Sequence, residues 1–208
     1  MKKTPLFRTG KRRAVFFWEG YMEWILASAS PRRKELLRQL IAKFEIIPAK
    51  GEENAHGAAT PKELVCMLAQ QKAGEVAALP QAKGKAVLGA DTVVAFQGEV
   101  LGKPVDERDA ARMLTALSGN THEVYTGVCI VLPSGETYTQ ADCTKVVFES
   151  LTAKQIQEYI QTGSPMDKAG AYGIQDGGLV QRIDGSFSNV VGLPVELCEK
   201  MLKECGLL

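Results

Sequence analysis

Strand-like and helix-like segments alternate along this chain from Trp24 onwards, and this alternation limits the fold to the mixed α/β class. Apolar runs predict strands at 24–27, 44–48, 86–96, 99–101, 124–132, 137–148 and 179–183. Capping residues and apolar periodicity predict helices at 31–41, 61–79, 107–118, 153–163 and 194–204. A glycine-rich loop occupies 167–178. The sequence therefore predicts helices packed on one extended sheet.

The length of 208 residues suits one domain or a single domain with two lobes. Residues 1–20 hold six Lys or Arg and one Glu, so the rest of the chain has a net charge of −4. We expect residues 1–21 to be a non-essential extension, with a mitochondrial-type presequence as the alternative, and the domain to span 22–208. A mildly acidic domain predicts no long nucleic acid as partner. No apolar run approaches the ~20 residues of a membrane span, so no membrane insertion is expected either.

The five cysteines are widely spaced and form no Cys-x-x-Cys pair, and the chain has only two histidines. This pattern argues against a disulfide framework and against a zinc site, and it predicts a reduced, cytoplasmic setting. Any bound metal would be a hard cation on carboxylates.

Two segments break local rules of secondary structure. Ser28 to Lys34 runs from a strand into a helix whose first turn is basic, where the helix dipole favours acids. Hydroxyls, amides and arginines at a helix start predict a phosphate site, although a solvated basic cap would look the same. Asp91 interrupts an apolar strand, where a carboxylate needs a partner or a metal unless it lies in a turn at the strand end.

Three further residue types add to this picture. Lys72 shares a helix stripe with apolar residues, so it points inward or extends its ammonium to the surface. Lys103 follows the hairpin that starts near Asp91, and it is either a second cation at that sheet end or an ordinary turn lysine. Lys168 and Gln175 lie in the glycine-rich loop, which either approaches a ligand closely or is a plain surface loop. Glu53 is uninformative by itself.

The sequence lacks several well-known catalytic patterns, namely the P-loop, the Rossmann glycine fingerprint, His-Glu-x-x-His and the Gly-x-Ser-x-Gly elbow. What remains is an α/β protein with an anion site and a buried carboxylate. These residues suggest metal-assisted chemistry on a phosphorylated small molecule without saying which one.

Six segments, in order, resemble the Maf family of nucleoside triphosphate pyrophosphatases. They are ASASPRRKELL (27–37), GADTVV (89–94), GKP (102–104), LSGNTHEVYTG (117–127), DKAGAYGIQ (167–175) and SNVVGLP (188–194). The resemblance implies a two-lobed α/β fold similar to inosine triphosphate pyrophosphatases, with a cleft between the lobes. Small departures lie at residues 1–21, 51–52 and 175–178.

The resemblance also implies an activity. A nucleoside triphosphate is hydrolysed to its monophosphate and pyrophosphate with a divalent cation, Mg²⁺, Mn²⁺ or Co²⁺. Arg32, Thr92 and Gln175 match the branch that acts on dTTP and UTP, in which Gln175 and Thr92 would read the pyrimidine.

The remaining roles follow the same resemblance. Asp91 is implied as proton acceptor, with Lys103 and Glu53 beside it and with Glu53 and Asp91 as metal ligands. The implied substrate-binding residues are Ser28, Arg32, Arg33, Lys72, Thr92, Lys168 and Gln175, and a homodimer is compatible with the sequence.

Two other interpretations remain at this stage. One is a nucleotide-binding regulator of cell division or septation without turnover, which would need the phosphate site but neither Asp91 nor Lys103. The other is a pyrophosphatase for inosine or xanthosine triphosphates, with the same chemistry and a different base pocket.

Overall fold

A computed structural model describes residues 22–53 and 57–207 of the chain. The residues 1–21, for which a non-essential extension is expected, lie outside the described part. In chain order the elements are β1 (Trp24–Leu26), α1 (Pro31–Leu37), β2 (Glu45–Ile46), α2 (Pro61–Ala77), β3 (Ala86–Phe96), β4 (Glu99–Leu101), α3 (Glu107–Leu117), β5 (Thr121–Val131), β6 (Thr137–Phe148), α4 (Ala153–Gln161), β7 (Val180–Asp184), α5 (Phe187–Val191) and α6 (Val195–Glu204). Short 3₁₀ turns occupy Pro80–Ala82, Ser164–Asp167, Ala169–Ala171 and Ile174–Asp176.

Side-chain caps start most of the helices where the sequence predicts them. Ser30, Thr60, Asp106 and Thr152 each accept a hydrogen bond from the backbone N–H three residues ahead. Thr60 and Thr152 belong to complete capping boxes, in which the side chain of the third helical residue bonds back to the cap. These local rules therefore fix the first residue of four helices.

One mixed sheet joins the described strands in the order β2-β1-β3-β5-β6-β7, and β4 pairs with the far end of β3. The pairs of β1 with β2 and with β3 are parallel, and the other pairs are antiparallel. Gln97 and Gly98 form the two-residue turn between β3 and β4, and both have positive φ, as such hairpin turns require. The sheet confirms the mixed α/β class.

Two hydrophobic regions divide the molecule into lobes along the same long strands. In the first lobe, α1, α2 and α6 cover the β1 end of the sheet, with buried Leu26, Leu88 and Ile130. In the second lobe, α3, α4 and the glycine-rich loop cover the other end, with buried Val94 and Phe148. Strands β3 and β5 run through both lobes, and this confirms the predicted two-lobed architecture.

Helix α2 lies unusually close to the sheet because two strand residues have no side chain. A Cβ on Gly89 would lie 2.7 Å from the Ala69 carbonyl oxygen, and one on Gly127 would lie 2.2 Å from the Val65 carbonyl oxygen. Gly127 is also the register partner of Asp91. The two glycines thus set α2 directly against the middle of β3.

The main differences from the predicted elements are two that are shorter than expected and one that is additional. Helix α1 ends at Leu37, not near Ile41, because the next N–H groups of Gln39 and Leu40 bond three residues back and tighten the chain into a turn. The predicted strand at 44–48 is only Glu45–Ile46. Helix α5 was not predicted, since five residues are too few for an apolar period.

Candidate active site

A cleft of about 660 Å³ lies between the lobes, at the middle of β3. Every site residue predicted from the sequence lines it: Ser28, Arg32, Arg33, Glu53, Lys72, Asp91, Thr92, Lys103, Lys168 and Gln175. Within the described lining, five cationic side chains face three carboxylates, the third being Asp167. The cleft therefore combines a net positive charge with a small set of acids, as a polyanion site requires.

Lys72 joins the two predicted acids at the floor of the cleft. Its ammonium nitrogen lies 2.5 Å from Asp91 Oδ1 and 2.8 Å from Glu53 Oε1. Asp91 is buried, whereas more than half of the Glu53 side chain is exposed. The hydrogen bond from Lys72 lowers the pKa of Glu53, partly opposed by burial, and the nearby Lys103 and Arg33 charges lower it further. The inward alternative for Lys72 is thus the correct one.

Arg33 connects three parts of the cleft wall. Its guanidinium donates to the Gly192 carbonyl oxygen at 2.8 Å, to Thr92 Oγ1 at 3.0 Å and to Ser28 Oγ at 3.4 Å. Burial lowers the pKa of Arg33, and the Asp91 charge offsets part of that change. Through these bonds Arg33 holds Ser28, Thr92 and the Gly192 backbone together at the cleft wall. Its contact with substrate stays a prediction.

Thr92 belongs to a polar network behind the cleft. Its hydroxyl contacts Thr126 Oγ1 at 3.0 Å, and Thr126 donates to the Asn189 carbonyl oxygen at 3.0 Å. Asn189, on α5, donates to the Val124 carbonyl oxygen at 2.9 Å. With Arg33 and Thr126 as partners the Thr92 hydroxyl is largely engaged by protein, so its predicted reading of the base stays a prediction.

An ion pair crosses the cleft from one lobe to the other. Arg32, on α1 of the first lobe, donates to Asp167 Oδ2 at 3.0 Å in the second lobe. The other oxygen of Asp167 accepts from Lys168 Nζ at 2.7 Å, and Lys168 also donates to the Ser164 carbonyl oxygen at 2.5 Å. Lys168 therefore orders the loop in the free protein, and Arg32 has a carboxylate partner that an anionic ligand would replace.

The glycine-rich loop is fixed at both sides of its turn. The N–H of Gly170 donates to the Gly102 carbonyl oxygen at 3.0 Å, next to Lys103, and φ at Gly170 is +68°. A Cβ there would lie 2.8 Å from Val94 Cγ2, so only glycine fits. Lys103 and Gln175 are exposed in the cleft. Lys103 lines the same cleft as Asp91, and its predicted part in catalysis stays a prediction.

Two serine hydroxyls accept hydrogen bonds from backbone N–H groups at the start of α1. Ser28 Oγ accepts from the N–H of Ser30 at 3.2 Å, and Ser30 Oγ accepts from the N–H of Arg33 at 3.4 Å. Two backbone donors that the sequence analysis assigned to phosphate are thus used internally. Arg32 and the Ser28 hydroxyl remain as predicted anion-binding groups at this edge of the cleft.

Sequence reasoning missed three residues that shape the cleft. Asp167 pairs with Arg32, while Gln71 and Glu75 hold the loop before Glu53. Gln71 and Glu75 each lie within one helical turn of Lys72, and this spacing was the available sequence indication.

The donor set at the cleft floor fits a hard divalent cation. Two carboxylates, Asp91 and Glu53, lie on either side of one ammonium, and Mg²⁺ is commonly bound by one or two carboxylates together with substrate phosphates. Among residues 22–53 and 57–207, no group of three or more His, Cys, Asp or Glu could hold a metal. The residues therefore suit a cation that arrives with a phosphate ligand.

The fold and the cleft define a two-lobed α/β protein with a net positively charged cleft between its lobes. A family model described as Maf-like protein matches residues 23–205, and the chain belongs to the Maf family. Within the part of the chain that the structure describes, no helix is long and apolar enough to cross a membrane.

Curated relatives match the chain over nearly their whole length. The dTTP/UTP pyrophosphatase of Carboxydothermus hydrogenoformans is 48% identical over 188 residues, covering 89% of this chain and 100% of that protein. The dTTP/UTP pyrophosphatase of Bacillus velezensis is 50% identical over 185 residues, covering 88% and 96%. Among solved structures, a HAM1 protein from Coxiella burnetii has a TM-score of 0.50 at 15% identity, covering 88% of this chain and 99% of that chain. The last similarity concerns the fold alone.

Proposed function

We propose that this chain hydrolyses nucleoside triphosphates, dTTP and UTP among them, to the monophosphate and pyrophosphate. The observation that carries the proposal is the convergence of all ten predicted residues on one cleft, in a chain about half identical to dTTP/UTP pyrophosphatases along their length. A binding protein without turnover would not require a buried Asp91 bonded to Lys72.

Charge neutralisation is the first task of such a site. A triphosphate carries about four negative charges, which must be balanced before water can attack phosphorus. Arg32, Lys72 and Lys103 supply cations that line the cleft, and Arg33 adds one held by the Gly192 carbonyl oxygen. Phosphate oxygens would take the place of Asp167 on Arg32, so the free protein keeps this guanidinium oriented across the cleft.

Asp91 is the group suited to accept a proton from the attacking water. Lys72 contacts its Oδ1, which fixes the carboxylate and leaves Oδ2 as the basic atom. Attack at the α-phosphorus then breaks its bond to the bridging oxygen of the leaving pyrophosphate. A divalent cation would supply Lewis-acid stabilisation of the leaving charge. Glu53 would hold it, with Asp91 as a further ligand in the alternative in which Asp91 does not accept the proton.

Residues of the second lobe would select the nucleobase of the substrate. Gln175 is exposed in the cleft and carries both a donor and an acceptor, as a pyrimidine edge requires. Thr92 acts here by holding Arg33 and the strand, with direct contact to the base as the alternative.

A pyrophosphate-release screen tests the proposal. Purified protein is assayed with dTTP, UTP, CTP, ITP and XTP in Mg²⁺, Mn²⁺ and Co²⁺. We expect kcat/KM for dTTP and UTP to exceed that for ITP and XTP, with no release in a chelator. Equal or higher turnover of ITP would contradict the pyrimidine assignment, and absence of release from every nucleotide would contradict the enzyme.

We propose three further properties with the same function. Residues 1–21 are dispensable, in keeping with a family match that begins at residue 23. The protein works in the cytoplasm, supported by its five unpaired cysteines. It forms a homodimer, which sedimentation of the full chain tests.

A further inference from the structure

Glu75 binds the backbone of the loop that leads to Glu53. Its two carboxylate oxygens accept from the N–H of Lys50 at 2.7 Å and from the N–H of Gly51 at 3.0 Å. A Cβ on Gly51 would lie 2.8 Å from Glu75 Oε2, so the glycine permits this close approach. The two backbone bonds lower the pKa of Glu75 and keep it an ionised acceptor. Glu75 therefore fixes the backbone of residues 50–51 to helix α2.

The same face of α2 also binds the next two loop residues. Gln71 donates to the Glu52 carbonyl oxygen, and Lys72 pairs with the Glu53 carboxylate at 2.8 Å. Lys72 and Gln71 lie three and four residues before Glu75, so each is a neighbour of Glu75 on the helix surface. Helix α2 thus contacts four consecutive loop residues, 50–53.

The ion pair with Lys72 is not the only contact that positions Glu53. More than half of the Glu53 side chain is exposed, and ion pairs between exposed side chains typically shift an equilibrium by about fivefold or less. Lys72 is moreover shared with Asp91. The backbone bonds to Glu75 remove most of the freedom of the chain two residues before Glu53.

We propose that Glu75 is a positioning residue that holds Glu53 beside Asp91 and so sets the geometry in which Glu53 takes part in hydrolysis. This inference rests on the proposed function. Glu75 does not line the cleft, so its effect reaches the substrate only through the loop.

A double-mutant cycle on kcat for dTTP hydrolysis tests this route. Glu75→Gln keeps the size but removes one acceptor and the charge, and we expect kcat to fall about tenfold, as for a small misplacement of a catalytic group. KM should stay within about twofold because Arg32 and Lys103 remain. In the background of Glu53→Gln, the same change should have no further effect on kcat.

A second loop variant and a control variant complete the test. Gly51→Ala pushes the Glu75 carboxylate from the loop and should lower kcat in the same direction by a smaller factor. Glu158→Gln is the control, because Glu158 lies on α4 outside the cleft lining and pairs with Lys154 at 3.7 Å, and kcat should be unchanged. Amide hydrogen exchange in nucleotide-free protein should be faster at residues 50–51 in Glu75→Gln than in the control.

The outcomes separate the two proposals. Wild-type protein that releases no pyrophosphate would overturn the proposed function. Active wild-type protein with an equally active Glu75→Gln variant would overturn the positioning role alone. Multiplicative losses in the double variant would also overturn it, because Glu75 would then act independently of Glu53.

Discussion

His122 should make the folded protein lose stability in mild acid. The ring is buried, and Nε2 lies 2.8 Å from the Tyr172 hydroxyl. Nδ1 has no partner within the described residues, and the rings of Phe148 and Tyr172 pack on it at centroid distances of 5.5 and 5.3 Å. Charging the imidazole would bury an additional unpaired N–H, so burial lowers the pKa of His122 from 6.5 to about 4.

The direction and size of the effect follow from proton linkage. Between these two pKa values the unfolded chain binds a proton that the folded chain does not, so stability rises with pH. The full contribution is present above the unfolded value and is lost as pH falls toward the folded value, amounting to about 3 kcal/mol in total. From about pH 7.5 to about pH 5 the expected loss is ~2 kcal/mol.

Urea unfolding at a series of pH values measures this loss. The window is informative because carboxylates with lowered pKa, such as Glu53 and Asp167, are protonated only at lower pH. His122→Phe keeps an aromatic ring but cannot titrate, so its stability should be nearly flat over the window. Equal slopes for wild type and His122→Phe would refute the reasoning.

Three further results are expected. Asp91→Asn should slow dTTP hydrolysis by ~10²–10⁴-fold while nucleotide binding survives, and more than a tenth of wild-type turnover at saturating metal would show that Asp91 is only structural. Gln175→Glu should cost about 1–3 kcal/mol in kcat/KM for dTTP and UTP but less for purine nucleotides, and equal losses would make the residue a structural one. Deleting residues 1–21 should change kcat/KM by less than about threefold, and a truncated protein that fails to fold would show that they belong to the domain.

The starts of most helices were predictable from local sequence rules. Caps such as Thr60 and Asp106 act within one helical turn, so they are readable without any knowledge of the partner elements. Short elements such as β2 and α5 depend on neighbours for their stability, and the sequence pattern made the first too long and missed the second.

The composition of the site was predictable, but its bonding was not. Asp91 and Lys72 stood out because each is a charged residue among apolar ones. That they contact each other depends on the distance between α2 and β3, which Gly89 and Gly127 set by admitting helix backbone where a Cβ would stand. A glycine in a strand gives no indication of which element approaches it, so this contact needed the tertiary structure.

Contacts across the lobes are harder still to predict. Asp167 precedes Lys168 in the sequence and could have been only a loop acid. In the structure it pairs with Arg32, which lies 135 residues earlier. Such a pair follows from the relative placement of two lobes that only the completed sheet fixes.

The net charge of the cleft indicates the charge of the ligand that it would bind. Five cationic side chains and three carboxylates leave the described lining with two net positive charges. A triphosphate brings about four negative charges, so one divalent cation bound with it makes the filled cleft neutral. A monophosphate with a cation would leave an excess of positive charge, and a free triphosphate would leave an excess of negative charge, each costly away from bulk water. The charge balance thus favours a metal–triphosphate complex as the species that enters, and Asp91 and Glu53 are the acids that would otherwise repel it.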